Sequence, residues 1–320
     1  MRALLVDPSA PGGLRLGTAP DPQPAHHQAL VRTTATSLNA GEIAFGLAAA
    51  PPGAVLGWDA AGVVERAAAD GTGPAAGTPV VTLMGDGAWA ELRAVDTALT
   101  GVAPAGADPA ALATVPVAAT SALRALHRIG PLLGRDVLVT GATGGVGRYA
   151  VQLARAGGAH VVACTGDPGA HGDLLRRLGA HEVVGTPGEV ARPVDGVLDL
   201  VGGDRLVEAY GTLREGGTLV AVGHASGRGE DFPFGALFGD QGRHDRSLVT
   251  FFLLGCAGLD RDLGRLAHRV AAGELDPGIA WRGDWSAAAD AVAALRSGGL
   301  HGKAVLTFSR RRGAGARPVS

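Results

Sequence analysis

DVLVTGATGGVG, residues Asp136 to Gly147, decides the fold. Residues 136–140 have the length and β-branched character of a buried strand, and they run without a spacer into Gly141, Gly144, Gly145 and Gly147. Apolar residues then recur at Val151, Leu153 and Ala154, which predicts a helix over 148–156. A strand, a glycine turn and a helix in direct succession form the context in which a dinucleotide-binding turn is credible. Glycines let the backbone turn sharply and let a pyrophosphate approach, while free N–H groups and the positive end of the helix dipole face the phosphates.

Working outward, short β-branched runs at 160–165, 182–184, 196–201 and 218–222 alternate with helical stretches at 174–178 and 204–213. That alternation predicts a parallel sheet wound with helices, closed by the apolar run 248–254 (LVTFFLL). Upstream, strand-like runs at 3–6, 29–33, 60–64, 79–83 and 90–94, separated by Gly and Pro, predict a β-rich lobe. Residues 258–320 hold two helical stretches (263–272 and 287–295) and a last strand (304–308), too little for a domain of their own. The expected fold is α/β: a Rossmann doubly wound sheet over 116–257, and a β-rich lobe of 1–115 completed by 258–320, with a cleft between them.

Composition narrows the chemistry. With 46% apolar and 18% charged residues in 320, the chain is neither disordered nor a membrane bundle. Glycine, at 52 residues, is roughly twice the usual share. The net charge of -2 gives no basic field for nucleic acid or an anionic membrane, so the expected partners are small molecules. Only two cysteines occur, Cys164 and Cys256, and one lysine, Lys303. The cysteines exclude a disulfide framework and a Cys-rich zinc lobe, and a reduced compartment, the cytoplasm, is the simplest setting. Met1 to Val6 reaches Asp7 before a signal-peptide apolar stretch develops. The basic cluster Arg310, Arg311, Arg312 and Arg317 sits among Gly and Pro and reads as a disordered end.

The same scarcities remove rival enzymes. A P-loop needs Gly-Lys-Ser/Thr, and Lys303 is far along the chain from any such turn. Short-chain dehydrogenases use a Tyr-x-x-x-Lys pair, but neither Tyr149 nor Tyr210 has a lysine four residues on, and no Gly-x-Ser-x-Gly elbow occurs. The β-rich first lobe, the Rossmann unit opening near residue 136 and the C-terminal return together resemble the medium-chain dehydrogenase/reductase superfamily over nearly the whole chain. Gly141-x-x-Gly144-x-x-Gly147 is similar to its zinc-free quinone oxidoreductase and enoyl reductase branch. So are Ser37-Leu38-Asn39, LGWDAAGVV at 56–64, GHASG at 223–227 and GKAVL at 302–306. The resemblance implies a GroES-like first lobe.

In the alcohol-dehydrogenase branch of that superfamily a catalytic zinc is held by a Cys, a His and a second Cys. The matching positions here carry Asn39, Trp58 and approximately Val117, so no metal is expected. Without a Lewis acid, oxidation of a simple alcohol lacks a means of stabilising alkoxide. Hydride addition to a quinone or an α,β-unsaturated carbonyl remains feasible, because the substrate's own carbonyl delocalises the charge.

The resemblance places Asn39 and Thr120 beside nicotinamide and substrate, with Gly202, Gly223, His224 and Phe252 completing the nicotinamide site. Asn39 is then positioned to donate to an enolate or quinone oxygen, or to cap a turn, and Glu42 to bond in the cleft or to sit on the surface. The branch often carries a tyrosine a few residues after the Asn; Ala44-Phe45 stands there, leaving water or His224 as proton donor. That departure keeps a second reading open, a redox-silent relative catalysing a rearrangement or cyclisation, and a third, a nucleotide-sensing module.

Gly141, Thr143, Gly144, Gly145, Val146 and Gly147 form the expected phosphate turn, and Thr165, Gly166 and Asp167 the ribose end. Asp167 lies at the distance of an NAD-binding acid but one place late, and Thr165-Gly166 is small as in NADP users, so NADP(H) is favoured over NAD(H). Arg148, Arg176, Arg192 or the arginine tail are candidates to meet the extra phosphate. Phe45, Trp89, Phe232, Phe234, Phe238, Phe252 and Trp281 are candidates for the cleft wall, the loop phenylalanines foremost because a long Gly-rich loop is usually functional. The apolar run 248–254 predicts a sheet edge that must be covered, and a homodimer joined there.

Overall fold

The computed structural model describes residues 1–308, so Arg310, Arg311, Arg312 and Arg317 lie outside the described residues. The strands of the first part are β1 (Arg2–Val6), β2 (Leu14–Thr18), β3 (Gln28–Leu38), β4 (Asp59–Arg66), β5 (Pro79–Leu83), β6 (Leu92–Asp96) and β7 (Thr100–Val102). After helix α1 (Thr120–Ile129), strand β8 (Asp136–Val139) leads into α2 (Gly145–Ala156), followed by β9 (His160–Cys164), α3 (Pro168–Arg177), β10 (Glu182–Val184) and β11 (Val194–Asp199). Helix α4 (Asp204–Gly211), β12 (Leu213–Ala221) and β13 (Ser247–Thr250) complete this part. The chain closes with α5 (Leu259–Ala271), β14 (Ile279–Asp284), α6 (Ala288–Arg296) and β15 (Lys303–Thr307).

Strands β10-β9-β8-β11-β12-β13 form one sheet in that order, every neighbouring pair parallel. Alternation along β8 explains why it carries helices on both faces. Val137 and Val139 pack on one side with Ala122, Leu126, Ala150 and Val151 of α1 and α2, while Leu138 packs on the other with Leu206 and Ala209 of α4. A second sheet runs β14-β15-β3-β4-β5-β7, with β6 also paired to β3. Strands β14 and β15 from the chain's end therefore belong to the sheet of the first lobe, and β15 pairs antiparallel with β3 from Ala304 opposite Leu38. The stretch Pro109–Ile129 is long and apolar enough to cross a membrane, but most of it is buried inside the protein.

Three strands escaped the sequence pattern. β2 and β7 are short and Gly-interrupted, and β14 carries alternate polar residues at a sheet edge. The run expected at 248–254 is strand only over Ser247–Thr250, because Leu253–Gly255 turns as a 3-10 helix. Phe251 then points inward and packs against the cores of both sheets. β13 is the outer strand of its sheet, with Leu248 partly exposed.

Helix α5 joins the two sheets, touching β7 on one side and burying Leu266 and Val270 against the Rossmann core on the other. Its seat depends on Gly101, where an added Cβ would lie 2.5 Å from the backbone N of Gly264 and from Cβ of Leu263. Backbone cannot give way as a flexible side chain does. Gly101→Ala is expected to cost about 1–3 kcal/mol of stability, read as a lower urea midpoint.

Candidate active site

Three of the four glycines in the turn after β8 each have a structural reason to lack a side chain. Gly141 sits at φ +58°, a conformation L side chains rarely adopt. At Gly147 a Cβ would stand 2.3 Å from the carbonyl O of Gly141 and 2.7 Å from Cα of Ala142, so this glycine lets α2 pack onto the turn. At Gly145 the obstruction is Cδ of Lys303, 2.6 Å from the Cβ position. Gly144 has ordinary extended angles and only the Gly141 carbonyl nearby, at 3.4 Å. No side chain caps α2, whereas Asp167 caps α3 through the N–H of Ala170 at 2.9 Å. The first N–H groups of α2 thus keep the free donors and positive dipole that suit a pyrophosphate.

Lys303, remote in sequence, stands directly beside this turn. It is the first residue of β15, and the β15–β3 register carries it next to Asn39, just past the end of β3. Its ammonium is 3% exposed and donates to Asn39 Oδ1 at 2.6 Å and to Asp59 Oδ2 at 3.2 Å. Asp59, the first residue of β4, is fully buried and is bonded on both oxygens. Oδ1 accepts from the backbone N–H of Val117 at 2.8 Å, while Oδ2 also accepts from Ser37 Oγ at 2.5 Å and Asn39 Nδ2 at 2.9 Å. Glu42, on a π-helical turn over Glu42–Gly46, is fully buried too. Its Oε2 accepts from Asn39 N (2.7 Å) and Nδ2 (2.9 Å), and its Oε1 from Trp58 N (2.5 Å). Burial first, then the neighbouring Asp59 charge, pushes the Glu42 carboxyl up to about 7.

The amide of Asn39, expected beside nicotinamide and substrate, is fully engaged by its neighbours. Both Nδ2 hydrogens go to carboxylates and Oδ1 to the ammonium, an orientation the surrounding charges dictate. A bond from this amide to an incoming oxygen would have to replace a carboxylate partner. Thr120 is completely buried at the start of α1, its hydroxyl 3.5 Å from the carbonyl O of Val115. The positions matched to zinc ligands carry the Asn39 amide, the Trp58 indole and the Val117 alkyl group, and Asp59 accepts from both the Asn39 amide and the Val117 N–H. This donor set does not fit a tetrahedral zinc, and among the described residues no group of three His, Cys, Asp or Glu is arranged to hold a metal.

The other predicted residues surround the carboxyl ends of β8, β11 and β12. Gly202 has φ +70°, donates its N–H to Asp199 Oδ2 at 2.8 Å, and would strike His224 Cδ2 at 3.0 Å if it bore a Cβ. Gly223 passes the Leu200 carbonyl, 2.9 Å from its Cβ position. The His224 side chain is 52% exposed, with Nε2 3.6 Å from Glu230 Oε1, and Glu230 accepts the N–H of Gly203 at 3.1 Å. Phe252 is 72% exposed, in contrast to its neighbour Phe251. Thr143 Oγ1 meets His301 Nδ1 at 3.3 Å, and the His301 ring contacts that of His171 at a tilt of 50° with centroids 4.0 Å apart, so the C-terminal return covers the turn. Val146 packs on the Rossmann core, Thr165 is buried, and Gly166 and Asp167 are exposed.

Several candidates serve elsewhere. Arg148 pairs with Asp276, Arg176 with Asp173, and Arg192 with Asp136 and Glu182. Trp89 is fully buried in the first-lobe core, where Trp281 also packs, and Phe232 lies edge-on to Tyr210 at 5.6 Å. Phe45, Phe234 and Phe238 are exposed. Sequence reasoning missed Asp59 and Lys303 as site residues. Both carried a signal: an acid opening an apolar strand, and a single lysine in a chain that otherwise uses arginine.

Two family models match the chain, the alcohol dehydrogenase GroES-like domain over residues 25–106 and the zinc-binding dehydrogenase over 178–306. An erythronolide synthase of Saccharopolyspora erythraea is 36% identical over 296 residues, which are 87% of this chain and 8% of that protein. A chloroplastic quinone oxidoreductase of Triphysaria versicolor is 33% identical over 58% of this chain and 60% of its own length. The crystal structure of a 2-haloacrylate reductase superposes with a TM-score of 0.84 at 25% identity, covering 97% of this chain and all of that one. The chain belongs to the medium-chain dehydrogenase/reductase superfamily. That superfamily of NAD(P)-dependent oxidoreductases combines a GroES-like and a Rossmann part, as the two sheets do here.

Two measurements probe this site. Gly147→Ala should lose about 1–3 kcal/mol of stability, while Gly144→Ala should change the urea midpoint little and act on nucleotide binding instead. For Glu42, the raised folded value means the native state holds a proton that the unfolded chain has released. Its contribution therefore falls as pH rises from about 4.5 to about 7 and is lowest above that window. Glu42→Gln should remove this slope from urea unfolding curves taken at pH 5 and 7.5, with an overall loss of about 1–3 kcal/mol because an amide N–H then faces backbone donors.

Proposed function

We propose that the protein is a zinc-independent reductase that uses NADPH to add hydride to a quinone or to a C=C bond conjugated with a carbonyl. The observation that carries the reading is the Lys303–Asn39–Asp59–Glu42 cluster, which stands beside a glycine turn whose helix has no side-chain cap and includes Asn39, one of the positions matched to a zinc ligand. With no Lewis acid to stabilise an alkoxide, the substrate must spread the developing charge itself. The quinone oxidoreductase and 2-haloacrylate reductase among the relatives support that substrate class.

When bound, the nicotinamide supplies the hydride. The N–H groups of Gly145, Val146 and Gly147 would hold the pyrophosphate, and Gly202 and Gly223 would let backbone approach the nicotinamide end. Asp167 already spends its carboxylate on the cap of α3, leaving the small Thr165-Gly166 corner for a phosphorylated ribose, which favours NADP(H) over NAD(H). His224, half-exposed with Nε2 3.6 Å from Glu230 Oε1, would deliver the proton that completes the reduction. The exposed Phe234 and Phe238 offer apolar surface to the acceptor. Pairing of two copies of the β13 edge, in a cytoplasmic homodimer, covers the strand that the monomer leaves open.

The test mixes the protein with NADPH or NADH and a panel of quinones and enones, following the nicotinamide absorbance. Consumption of NADPH with at least one acceptor, unaffected by a zinc chelator, is the expected result, and His224→Gln should lower kcat by about 10²-fold. A tenfold preference for NADH reverses the cofactor assignment. Nucleotide binding without turnover on any acceptor favours a redox-silent role.

A further inference from the structure

Arginine supplies every cationic side chain outside the histidines except Lys303, and that one lysine is among the least exposed charged groups in the protein. Its stem crosses the turn at the one point where Gly145 leaves room, 2.6 Å from a would-be Cβ, and its head fits between Asn39 Oδ1 and Asp59 Oδ2. A compact ammonium can occupy that gap, whereas a planar guanidinium with five donors is too large for it. Two buried acids meet at this point. Glu42 and Asp59 share the two hydrogens of one Asn39 amide, against a single ammonium.

We propose that Lys303 is a positioning residue of this site: its ammonium fixes the Asn39 amide and neutralises Asp59, so that the acid-rich wall beneath the nucleotide turn stays ordered. The proposal rests on the reductase reading and deepens it. Lys303 acts through Asn39 and Asp59, not by touching substrate. Asp59 in turn reaches across to the N–H of Val117 on the second π-helical turn, Val115–Ala119, so the lysine's hold extends to the segment that leads into α1. The charged groups facing Glu42 are Asp59 on β4, Lys303 on β15 and Arg93 on β6. Arg93 donates to the carbonyl O of Trp58 at 3.0 Å and of Asp86 at 2.8 Å and lies within the electrostatic reach of both acids. Removing Lys303 leaves Arg93 as the only cation in this set, so Glu42 must hold its proton to higher pH.

The test compares wild type with Lys303→Met and Lys303→Arg. Infrared difference spectra of the carboxyl region should show a buried acid titrating near pH 7 in wild type and clearly higher in Lys303→Met. The pH profile of kcat should move the same way and kcat should fall at least tenfold, with Lys303→Arg failing to restore it. A lower melting temperature with unchanged carboxyl titration and unchanged kinetics in the folded fraction would assign Lys303 a structural role only and overturn the proposal. If Lys303→Met does not fold, Gly145→Ala displaces the stem while keeping the charge. A shifted carboxyl titration in that variant supports the proposal, and an unshifted one overturns it. Should the wild type bind NADPH but reduce none of the quinones or enones, the reductase reading fails by itself, and the carboxyl titration still decides the role of Lys303.

Discussion

Everything around the candidate site hangs on the buried carboxylate of Asp59. An ionised acid in an apolar strand is costly unless each lone pair finds a donor and the charge finds a counter-ion. Here Ser37, Asn39, Lys303 and the Val117 N–H fill those roles, drawing together β3, β4, β15 and the segment before α1. These partners come from positions 37, 39, 117 and 303, so the contact brings the C-terminal strand and both lobes to one point.

The glycine turn gains a different meaning from this contact. A reading of the sequence alone credits its glycines to the approach of a phosphate. In the folded protein Gly141 serves backbone conformation, Gly147 the packing of α2 on the turn, and Gly145 the passage of the Lys303 stem. Only Gly144 has neither a positive φ nor a close obstruction, which leaves it free for a ligand. One motif therefore encodes a turn, a packing contact and a link to the other lobe.

The positions matched to zinc ligands follow the same logic. Where the resemblance puts zinc ligands, this chain carries an amide, an indole and an alkyl group, and the acids nearby are satisfied by an ammonium and by backbone N–H groups. Glu42 remains the least comfortable member, because its oxygens receive only neutral donors while Asp59 lies close by, and burial raises its proton affinity toward neutrality.

Local sequence determined the Rossmann half almost completely, because its strands and helices announce themselves by period and by Gly punctuation; DVLVT, the turn and the helix behind it needed no distant partner. It also determined which ligands a metal would lack, since residue identity at Asn39, Trp58 and Val117 is enough for that. Short or polar-edged strands such as β7 and β14 were not legible, because pairing with a neighbour, not their own pattern, makes them strands. Likewise Glu42 gave no sign of being buried, Phe251 and Phe252 gave no sign of which would turn inward, and Lys303 looked remote from the glycine turn. Those outcomes depend on long-range register: β15 pairing with β3 carries residue 303 to residue 39, a separation that no local rule spans.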